Sequence, residues 1–496
     1  MNQLQIFHSN INSGIMLILF FSLLLFTCRN EEMDVPIEDE IKAIETSLTN
    51  PVIVKGEAPE LFSIEERMKY HHVPGISVAV VKDGKLRWAK AYGFANTNTG
   101  TLVDTTTLFQ AGSISKPVAA LSILKLMEEG KVDLDTDVNN YLNNWKVEEN
   151  SFTEKEKVTL RRLLTHTAGM TVHGFPGYTQ RDTFPTDEEV LNGEGNTSKI
   201  FVDTIPGSIW RYSGGGYTVM EQMVKDVSGQ PLDIFLEENF LEPLGMSNST
   251  YYQPLPEKWH QQASAAYDSE GKIIDGLWHN YPEQAAAGLW TTPIDLAKYC
   301  MAIQQIKAGK TDGILTKETV EKMLSKHKNN WGLGPSLTGE GSMLRFQHGG
   351  KNAGFTNNMV AFANRGDAVI VMTNADNGGK LMNEIITAIS EYYDWKFAKA
   401  RVVEIAKLDK EQLNILYGKY ILANKTPDGS DYIIELVEQG DNILVIDDNN
   451  GDRDIISPMS DRTFIDLTDG DEVTFTIKPD SIEFLWNNFY RFIKVK

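Results

Sequence analysis

The sequence is poor in cysteine and in positive charge. It has 2 cysteines in 496 residues, Cys28 and Cys300, so a disulfide framework is excluded and the fold must depend on its core. Its 47 Lys and Arg residues stand against 68 Asp and Glu residues, which gives a formal net charge of -21. So acidic a chain is a poor partner for nucleic acid or for an anionic membrane surface.

Metal-binding spacing is also missing. None of the 9 histidines belongs to a His-Glu-x-x-His motif or to another ligand pattern. The Asp-rich segment 447–452 resembles a calcium loop only superficially, because it lacks the spacing of alternate Asp ligands with a later Glu, and we interpret it as a solvated turn. The sequence therefore predicts no metal and no cofactor.

A single long apolar run, residues 15–26, lies near the N-terminus and has the length of a signal-peptide core. It ends in Leu-Phe-Thr-Cys28, which resembles a bacterial lipobox. We expect residues 1–28 to be a signal peptide and Cys28 to carry a lipid anchor. A plain signal peptide and an uncleaved anchor remain alternatives. All three export the chain, to the periplasm, the outer membrane or the cell surface of a bacterium.

The segment after Cys28 is strongly acidic, with Glu and Asp at six of the positions from 31 to 40. This composition predicts a solvated, mobile tether over residues 29–54. If Cys28 is lipidated, Cys300 has no disulfide partner. We expect Cys300 to be a small buried apolar residue, because nothing beside it suggests a nucleophile.

Two predicted β-hairpins lie far apart in the chain. The first runs over residues 75–93 around an Asp-Gly turn, and the second runs over residues 358–373. The sequence between them is mostly helical pattern and loop. An antiparallel sheet assembled from both ends of one segment, flanked by helices and interrupted by a mostly helical insertion, is an α+β arrangement. We therefore predict one α+β domain over residues 55–400.

The texture changes after about residue 405, where short β-runs alternate with turn clusters. Such spacing predicts a separate domain over residues 405–496 that forms a small antiparallel barrel or sandwich. The expected strands begin near Tyr417 and continue at 432–437, 442–446, 463–467, 473–477, 481–486 and 489–495.

Ser113 and Lys116 are the central candidate pair. Ser-x-x-Lys occurs four times in the chain, but only Ser113 follows a glycine at the entry to an apolar helix, residues 118–127. In the first turn of that helix the amine would face the hydroxyl, and burial would lower its pKa enough for it to act as a base. Pro117 leaves open a later helix start, and a capping serine is the alternative interpretation of Ser113.

Three further stretches carry polar or glycine-rich signals. Residues 165–169 read Thr-His-Thr-Ala-Gly, Tyr212 precedes Ser-Gly-Gly-Gly, and His348 precedes Gly349 and Gly350. Tyr212 is either a packing aromatic or a phenol that loses its proton more easily beside a lysine ammonium and relays it. His348 is either structural or a polar group in a cleft. The glycines allow backbone to approach a ligand closely.

These landmarks, in this order, resemble the serine beta-lactamase superfamily, in the branch with class C beta-lactamases, D-alanyl-D-alanine carboxypeptidases, D-aminopeptidases and esterases. The similarity covers roughly residues 55–400, and small β domains are often appended in this superfamily. It implies that Ser113 is the acylated nucleophile and that Lys116 and Tyr212 share its proton. His348 would take the place of a lysine and contact the substrate or the base network.

The resemblance also implies an oxyanion hole formed by the backbone N–H groups of Ser113 and Lys351, and substrate contacts at Gly214, Gly349 and Gly350. Class C enzymes have Asn at the position of Gly214 and Lys-Thr-Gly at the position of His348-Gly349-Gly350. Each lost polar contact can cost about 1–3 kcal/mol. These departures favour a substrate other than a beta-lactam antibiotic.

Three functional hypotheses follow from the motifs and the resemblance. The preferred one is an exported serine hydrolase of esterase or peptidase type that acts on an ester or amide, with a D-amino-acid peptide or a cell-wall fragment as candidates. The second is a class C-type beta-lactamase or a D,D-carboxypeptidase. The third, from another class, is a non-catalytic ligand-binding or sensor module with a degenerate site.

Overall fold

The computed structural model describes residues 35–311, 313–424, 426 and 430–495. The predicted signal peptide and Cys28 lie outside the described residues. Within them, no helix is both long enough and apolar enough to cross a membrane. The α-helices of this part are α1 (Ile37–Glu45), α2 (Ile64–Tyr70), α3 (Ser115–Glu128), α4 (Leu160–Leu164), α5 (Asp187–Asn192), α6 (Gly214–Ser228), α7 (Leu232–Leu236), α8 (Gln284–Ala287), α9 (Pro293–Lys307), α10 (Lys317–Met323), α11 (Gly379–Tyr392) and α12 (Lys410–Asn414).

The strands form one large sheet, one barrel and two small pairs. They are β1 (Val52–Val54), β2 (Gly75–Lys82), β3 (Lys85–Asn96), β4 (Thr101–Leu102), β5 (Phe109–Gln110), β6 (Trp290–Thr291), β7 (Ser336–Thr338), β8 (Arg345–Asn352), β9 (Phe355–Phe362), β10 (Ala368–Thr373), β11 (Arg401–Val403), β12 (Gly418–Leu422), β13 (Ile433–Gln439), β14 (Asn442–Asp447), β15 (Asp452–Pro458), β16 (Thr463–Asp466), β17 (Glu472–Lys478), β18 (Ser481–Trp486) and β19 (Tyr490–Lys494).

The large sheet is antiparallel and has the strand order β4-β3-β2-β10-β9-β8-β7. Both predicted hairpins belong to it, since β2 pairs with β3, β9 pairs with β10, and β10 joins them by pairing with β2. Central strands β2 and β10 are buried along nearly their whole length because helices cover both faces. The predicted α+β architecture is confirmed.

Ser113 lies in a single 3₁₀ turn, Gly112–Ile114, which continues directly into α3. Pro117 occupies the first turn of α3, where its missing N–H leaves no intrahelical hydrogen bond unmade. Every residue from Ser115 to Leu124 is buried, so α3 is a core helix on all sides, as the apolar run predicts. The α-helix therefore starts at Ser115, two residues after Ser113, which is the later start that Pro117 left open.

The acidic segment is not a tether over its whole predicted length. Residues from Ile37 form α1, which packs against α11, and β1 pairs in parallel with β11. Glu40 is buried there because its carboxylate accepts hydrogen bonds from Arg87 at 2.9 Å and from the Trp88 indole at 3.0 Å. Composition alone misses this helix, because the acidic side chain that suggests solvation is paired across the fold.

The C-terminal domain is a closed eight-stranded barrel, β12 to β19, which decides between the predicted barrel and sandwich. Its interior is filled by aromatic side chains, among them Tyr420, Phe464, Phe475 and Phe484. One strand, β15, begins at the last residue of the predicted Asp-rich turn and was not expected, because its first residues are charged and its end is buried without the alternation typical of a strand.

A buried ion cluster fastens α2 to α11 and generates a stability prediction. The Glu384 carboxylate accepts bonds from Arg67 Nε at 2.7 Å and Nη2 at 2.5 Å, and it lies 2.9 Å from His71 Nε2. Glu384→Ala leaves the buried Arg67 charge uncompensated, so we expect a loss of about 3–5 kcal/mol in the free energy of unfolding, measured by urea denaturation.

The matched control for this prediction is Glu404→Ala, which removes the partner of Lys55 in an exposed pair with 73% of the Glu404 side chain accessible. A surface pair of this kind contributes about 0–1 kcal/mol. Similar losses for the two variants would contradict the role given to Glu384.

Candidate active site

The structure brings Ser113 and Lys116 together. Lys116 Nζ lies 3.0 Å from Ser113 Oγ and donates a second hydrogen bond of 2.8 Å to the carbonyl oxygen of Ala286. Ser113 is half-buried, whereas Lys116 is only 2% exposed. The 3₁₀ turn followed by α3 therefore presents a hydroxyl at the surface of the cleft with an amine directly behind it.

Short helix α8 supplies the carbonyl that holds Lys116. Its first turn is capped by Glu221 of α6, whose carboxyl accepts a hydrogen bond of 2.9 Å from the Ala285 N–H. Burial raises the pKa of Glu221 well above its usual value, and the nearby Asp187 charge acts in the same direction. Sequence analysis did not find Glu221, because only the fold brings α6 under α8.

Burial lowers the pKa of Lys116 to about 7. Desolvation destabilises the ammonium, and among the described residues no carboxylate is hydrogen-bonded to it to restore the usual value. A substantial share of Lys116 is therefore neutral at neutral pH. The neutral amine can keep one N–H on the Ala286 carbonyl and turn its lone pair to the Ser113 hydroxyl, which is the arrangement a general base requires.

Tyr212 stands beside this pair, with Lys116 Nζ 5.0 Å from the centre of its ring. Its hydroxyl is buried near Ser113 and has no hydrogen-bond partner in the described part of the chain. Burial raises the pKa of Tyr212 far more than the Ser113 hydroxyl lowers it. The expectation that this phenol loses its proton more easily is therefore wrong. Desolvation dominates, so the phenol keeps its proton and can act as a proton donor.

His348 is buried on β8, and its ring centre lies 6.1 Å from that of Tyr212. Its Nδ1 lies 2.6 Å from the carbonyl oxygen of Gly349, and its Nε2 has no hydrogen-bond partner among the described residues. Burial lowers the pKa of His348 to about 3, and Lys116 adds to this shift. The ring is therefore neutral, and it brings no positive charge to the position at which class C enzymes have a lysine.

Two rings complete the site, and neither was among the site residues predicted from the sequence. His166 lies 4.2 Å from Tyr212 between ring centres, and its Nδ1 accepts a 3.1 Å hydrogen bond from the Ser213 N–H. Trp331 packs against three rings of the site, with distances between ring centres of 4.9 Å to His166, 5.7 Å to His348 and 5.9 Å to Tyr212. His166 belongs to the Thr-His-Thr-Ala-Gly landmark, which signalled it, whereas Trp331 lies in a loop without any motif.

The backbone of β8 packs against the turn that carries Ser113. An ideal Cβ on Gly112, whose φ is +54°, would lie 2.5 Å from the backbone nitrogen of Lys351. A Cβ on Gly350 would overlap the carbonyl oxygen of Ala111. Only glycine allows this approach at both positions. It places the backbone N–H of Lys351 beside Ser113, where the resemblance implies an oxyanion hole.

Gly214 and Gly349 differ in their surroundings. A Cβ on Gly214 would lie 2.8 Å from Cε2 of Phe175 and 3.3 Å from the carbonyl oxygen of His173, so an aromatic ring fills the space of a side chain there. A Cβ on Gly349 would meet only the Asn357 carbonyl oxygen, at 3.8 Å. Packing therefore opposes an asparagine at 214 but would admit a threonine at 349.

Other features of the described residues lie apart from this chemistry. Cys300 is a free, fully buried thiol, and burial raises its pKa. A groove of about 910 Å³ between α1, α2 and β3 contains none of the predicted site residues. The described ranges hold no group of three or more His, Cys, Asp or Glu side chains that could bind a metal ion.

Fold and site together define the class. A half-buried serine with a buried lysine behind it, at the junction of an antiparallel sheet and a helical region, is typical of the serine hydrolases of the beta-lactamase and penicillin-binding-protein type. Residues 63–394, well over half of the chain, match the family model described as Beta-lactamase. The chain belongs to this family.

Two similar curated proteins are distant relatives of the chain. The chain is 25% identical over 236 residues to "Protein flp" of Staphylococcus aureus (strain N315), which covers 47% of this chain and 46% of that protein. It is 31% identical over 188 residues to penicillin-binding protein 4 of Amycolatopsis lactamdurans, or 38% of this chain and 46% of that protein. The matches span a little under half of the length of these curated relatives.

Similar solved structures extend over more of the chain. The octameric penicillin-binding protein homologue from Pyrococcus abyssi aligns with a TM-score of 0.60 and 24% identity, over 87% of this chain and 98% of that one. The structure of SurE with D-Leu aligns with a TM-score of 0.54 and 19% identity, and the alignment covers 87% of this chain and 97% of SurE. At these identities the likeness shows the fold.

The lowered pKa of Lys116 predicts the pH dependence of the nucleophile. Protonation of Lys116 removes the base, so the rate at which a fluorophosphonate modifies Ser113 should rise with pH and level off above about 7. The measurement is the modification rate from pH 5 to 9 by intact mass. His348→Asn should keep the same inflection, because the pKa of His348 lies far below this range.

The opposite results are easily recognised. A rate that climbs without a plateau to pH 9 would mean that Lys116 keeps an ordinary pKa. An inflection that moves in His348→Asn would assign the base role to the imidazole.

Proposed function

We propose that the protein is a serine hydrolase that cleaves an ester or amide through an acyl-enzyme on Ser113. The single observation that carries this proposal is the buried Lys116 amine, which lies 3.0 Å from Ser113 Oγ and has no carboxylate partner among the residues that the structure describes. A hydroxyl next to a lysine that is neutral at working pH is an activated nucleophile. An ordinary capping serine would not require a buried amine.

In the acylation step, Lys116 takes the proton of Ser113 Oγ as that oxygen forms a bond to the substrate carbonyl carbon. Negative charge develops on the carbonyl oxygen, where the backbone N–H groups of Ser113 and Lys351 can stabilise it. When the tetrahedral intermediate collapses, the protonated Tyr212 hydroxyl donates to the leaving group and recovers a proton from Lys116. Water then repeats these steps in reverse order to release the acid.

The candidate substrates are D-amino-acid peptides or cell-wall fragments. Support comes from relatives named as penicillin-binding proteins and from SurE, whose structure was solved with D-Leu. Neutral His348 and the ring of Phe175 at Gly214 distinguish the site from that of class C beta-lactamases. We therefore propose esterase or peptidase activity rather than antibiotic hydrolysis.

Intact mass after exposure of the purified protein to a fluorophosphonate tests the nucleophile. We expect one adduct on the wild type and none on Ser113→Ala. Tyr212→Phe should still be labelled but should turn over a p-nitroanilide more slowly, by about 10²–10⁴-fold, because an amine leaving group needs the proton donor that this variant lacks. A folded wild-type protein without an adduct would make a non-catalytic binding module the better explanation.

We also propose that the protein is exported and held at a bacterial membrane by a lipid on Cys28, as the sequence at residues 25–28 suggests. Cells that express the full chain should incorporate labelled palmitate into the wild type, and Cys28→Ser should abolish this incorporation. Cys300→Ser is the control, since Cys300 is buried in the hydrolase domain. Equal incorporation in the Cys28→Ser variant would contradict the anchor.

A further inference from the structure

We infer that the site selects substrates that are uncharged beside the scissile bond and present an apolar or aromatic group to Trp331 and Phe175, and that it discriminates against a free carboxylate there. This inference rests on the proposed function, because it names the substrate class of the same site. It separates the preferred hypothesis from a D,D-carboxypeptidase, whose leaving group carries a carboxylate.

The Lys and Arg side chains of the site are already bonded to other groups of the protein. Three of the segments that build the site, residues 112–116, 211–214 and 348–351, contain three cations, Lys116, Arg211 and Lys351. Lys328, three residues before Trp331, donates to the carbonyl oxygen of Ser208 at 2.6 Å. Lys116 is buried and bonded to Ser113 and the Ala286 carbonyl. Arg211 pairs with Asp203 and donates to the carbonyl oxygen of Gly169 at 3.0 Å. A substrate carboxylate would have to displace an existing partner at either of these positions.

Lys351 is the most exposed of the three cations, and Asp376 neutralises it. Its Nζ lies 2.6 Å from Asp376 Oδ1 and donates at 3.3 Å to Thr356 Oγ1. The same Asp376 oxygen accepts the Gly354 N–H at 2.9 Å, so its position is fixed by the turn between β8 and β9. An incoming carboxylate at this rim would therefore meet Asp376 as well as the ammonium, and the two effects oppose each other.

Aromatic side chains form the walls of the site beside the reacting atoms. Trp331 is partly exposed and contacts both Tyr212 and His348, with Trp210 at 5.3 Å on its other side. Phe175, also partly exposed, lies against Gly214, two residues after Tyr212. Aromatic rings next to the reacting atoms offer large apolar contact and quadrupole interactions but no partner for a charge-assisted bond. A neutral aromatic or apolar substituent gains most from such walls.

A matched pair of esters tests the inference: phenyl 3-phenylpropanoate and its analogue with a carboxylate at the meta position of the phenol, which places the charge on the leaving group beside the scissile bond. For the wild type we expect kcat/KM to be at least about tenfold higher for the neutral ester, since the anion gains no free cation and loses hydration. Trp331→Leu should reduce this ratio through a higher KM for the neutral ester.

Asp376→Asn gives the sharper test, because it frees the Lys351 ammonium and keeps the side-chain shape. The neutral-to-anionic ratio should fall by about fivefold, the effect of one partly exposed ion pair. The gain for the anionic ester should vanish in the double variant Asp376→Asn/Lys351→Met. Asp394→Asn, which releases Lys396 in an exposed pair beyond α11, is the matched control and should leave the ratio unchanged.

The outcomes are distinct. An anionic ester that reacts as fast as the neutral one in the wild type, or an unchanged ratio in Asp376→Asn, overturns the inference while Ser113 labelling still supports the hydrolase. Absence of labelling and of turnover removes the hydrolase and the inference together. If Asp376→Asn does not fold, the wild type can be tested by protecting Ser113 from the fluorophosphonate with boronic acids. Phenylboronic acid should protect at a lower concentration than 4-carboxyphenylboronic acid. The reverse order overturns the inference.

Discussion

The buried amine of Lys116 is the constraint on which the rest of the site depends. An ammonium without a carboxylate is costly in a protein interior, and the structure lowers that cost by favouring the neutral form and by offering one carbonyl, that of Ala286. That carbonyl belongs to α8, which Glu221 of α6 caps in turn. Helices α3, α8 and α6 thus together determine the surroundings of Lys116 Nζ, so the pKa of this amine depends on how the three helices pack.

The second constraint is backbone contact between the sheet and the helical region. Gly112 and Gly350 let the 3₁₀ turn and β8 meet without side chains between them, so the position of the Lys351 N–H relative to Ser113 is set by main-chain contact. Main-chain contacts have no rotamers to adjust, which suits a group that must stabilise a developing charge without reorganisation. The Lys351 side chain is in turn held by Asp376 at the turn between β8 and β9.

Much of the fold could be predicted from the sequence, because its signals are local. The apolar run of α3, the hairpins around Asp-Gly and Asn-Arg-Gly turns, and the regular β-runs of the barrel each lie within a few tens of residues. The Ser113-x-x-Lys116 spacing is equally local. Glu221, Trp331, Phe175 and Asp376 could not be found, because they reach the site from distant segments. The pKa direction of Tyr212 was misjudged for the same reason: burial is a tertiary property.

The departures from class C enzymes are consistent with one another, and this argues for an altered site rather than a decayed one. Gly214 loses an amide, but Phe175 fills its space; His348 brings no ammonium, but its neutral ring packs with Trp331 and Tyr212. In a site that had lost its function, we would expect residues that do not contribute to stability to be replaced first. An apolar residue in place of Lys116 would relieve a desolvated amine in the core, yet the lysine is there. The proposed catalysis is a physical reason to keep it.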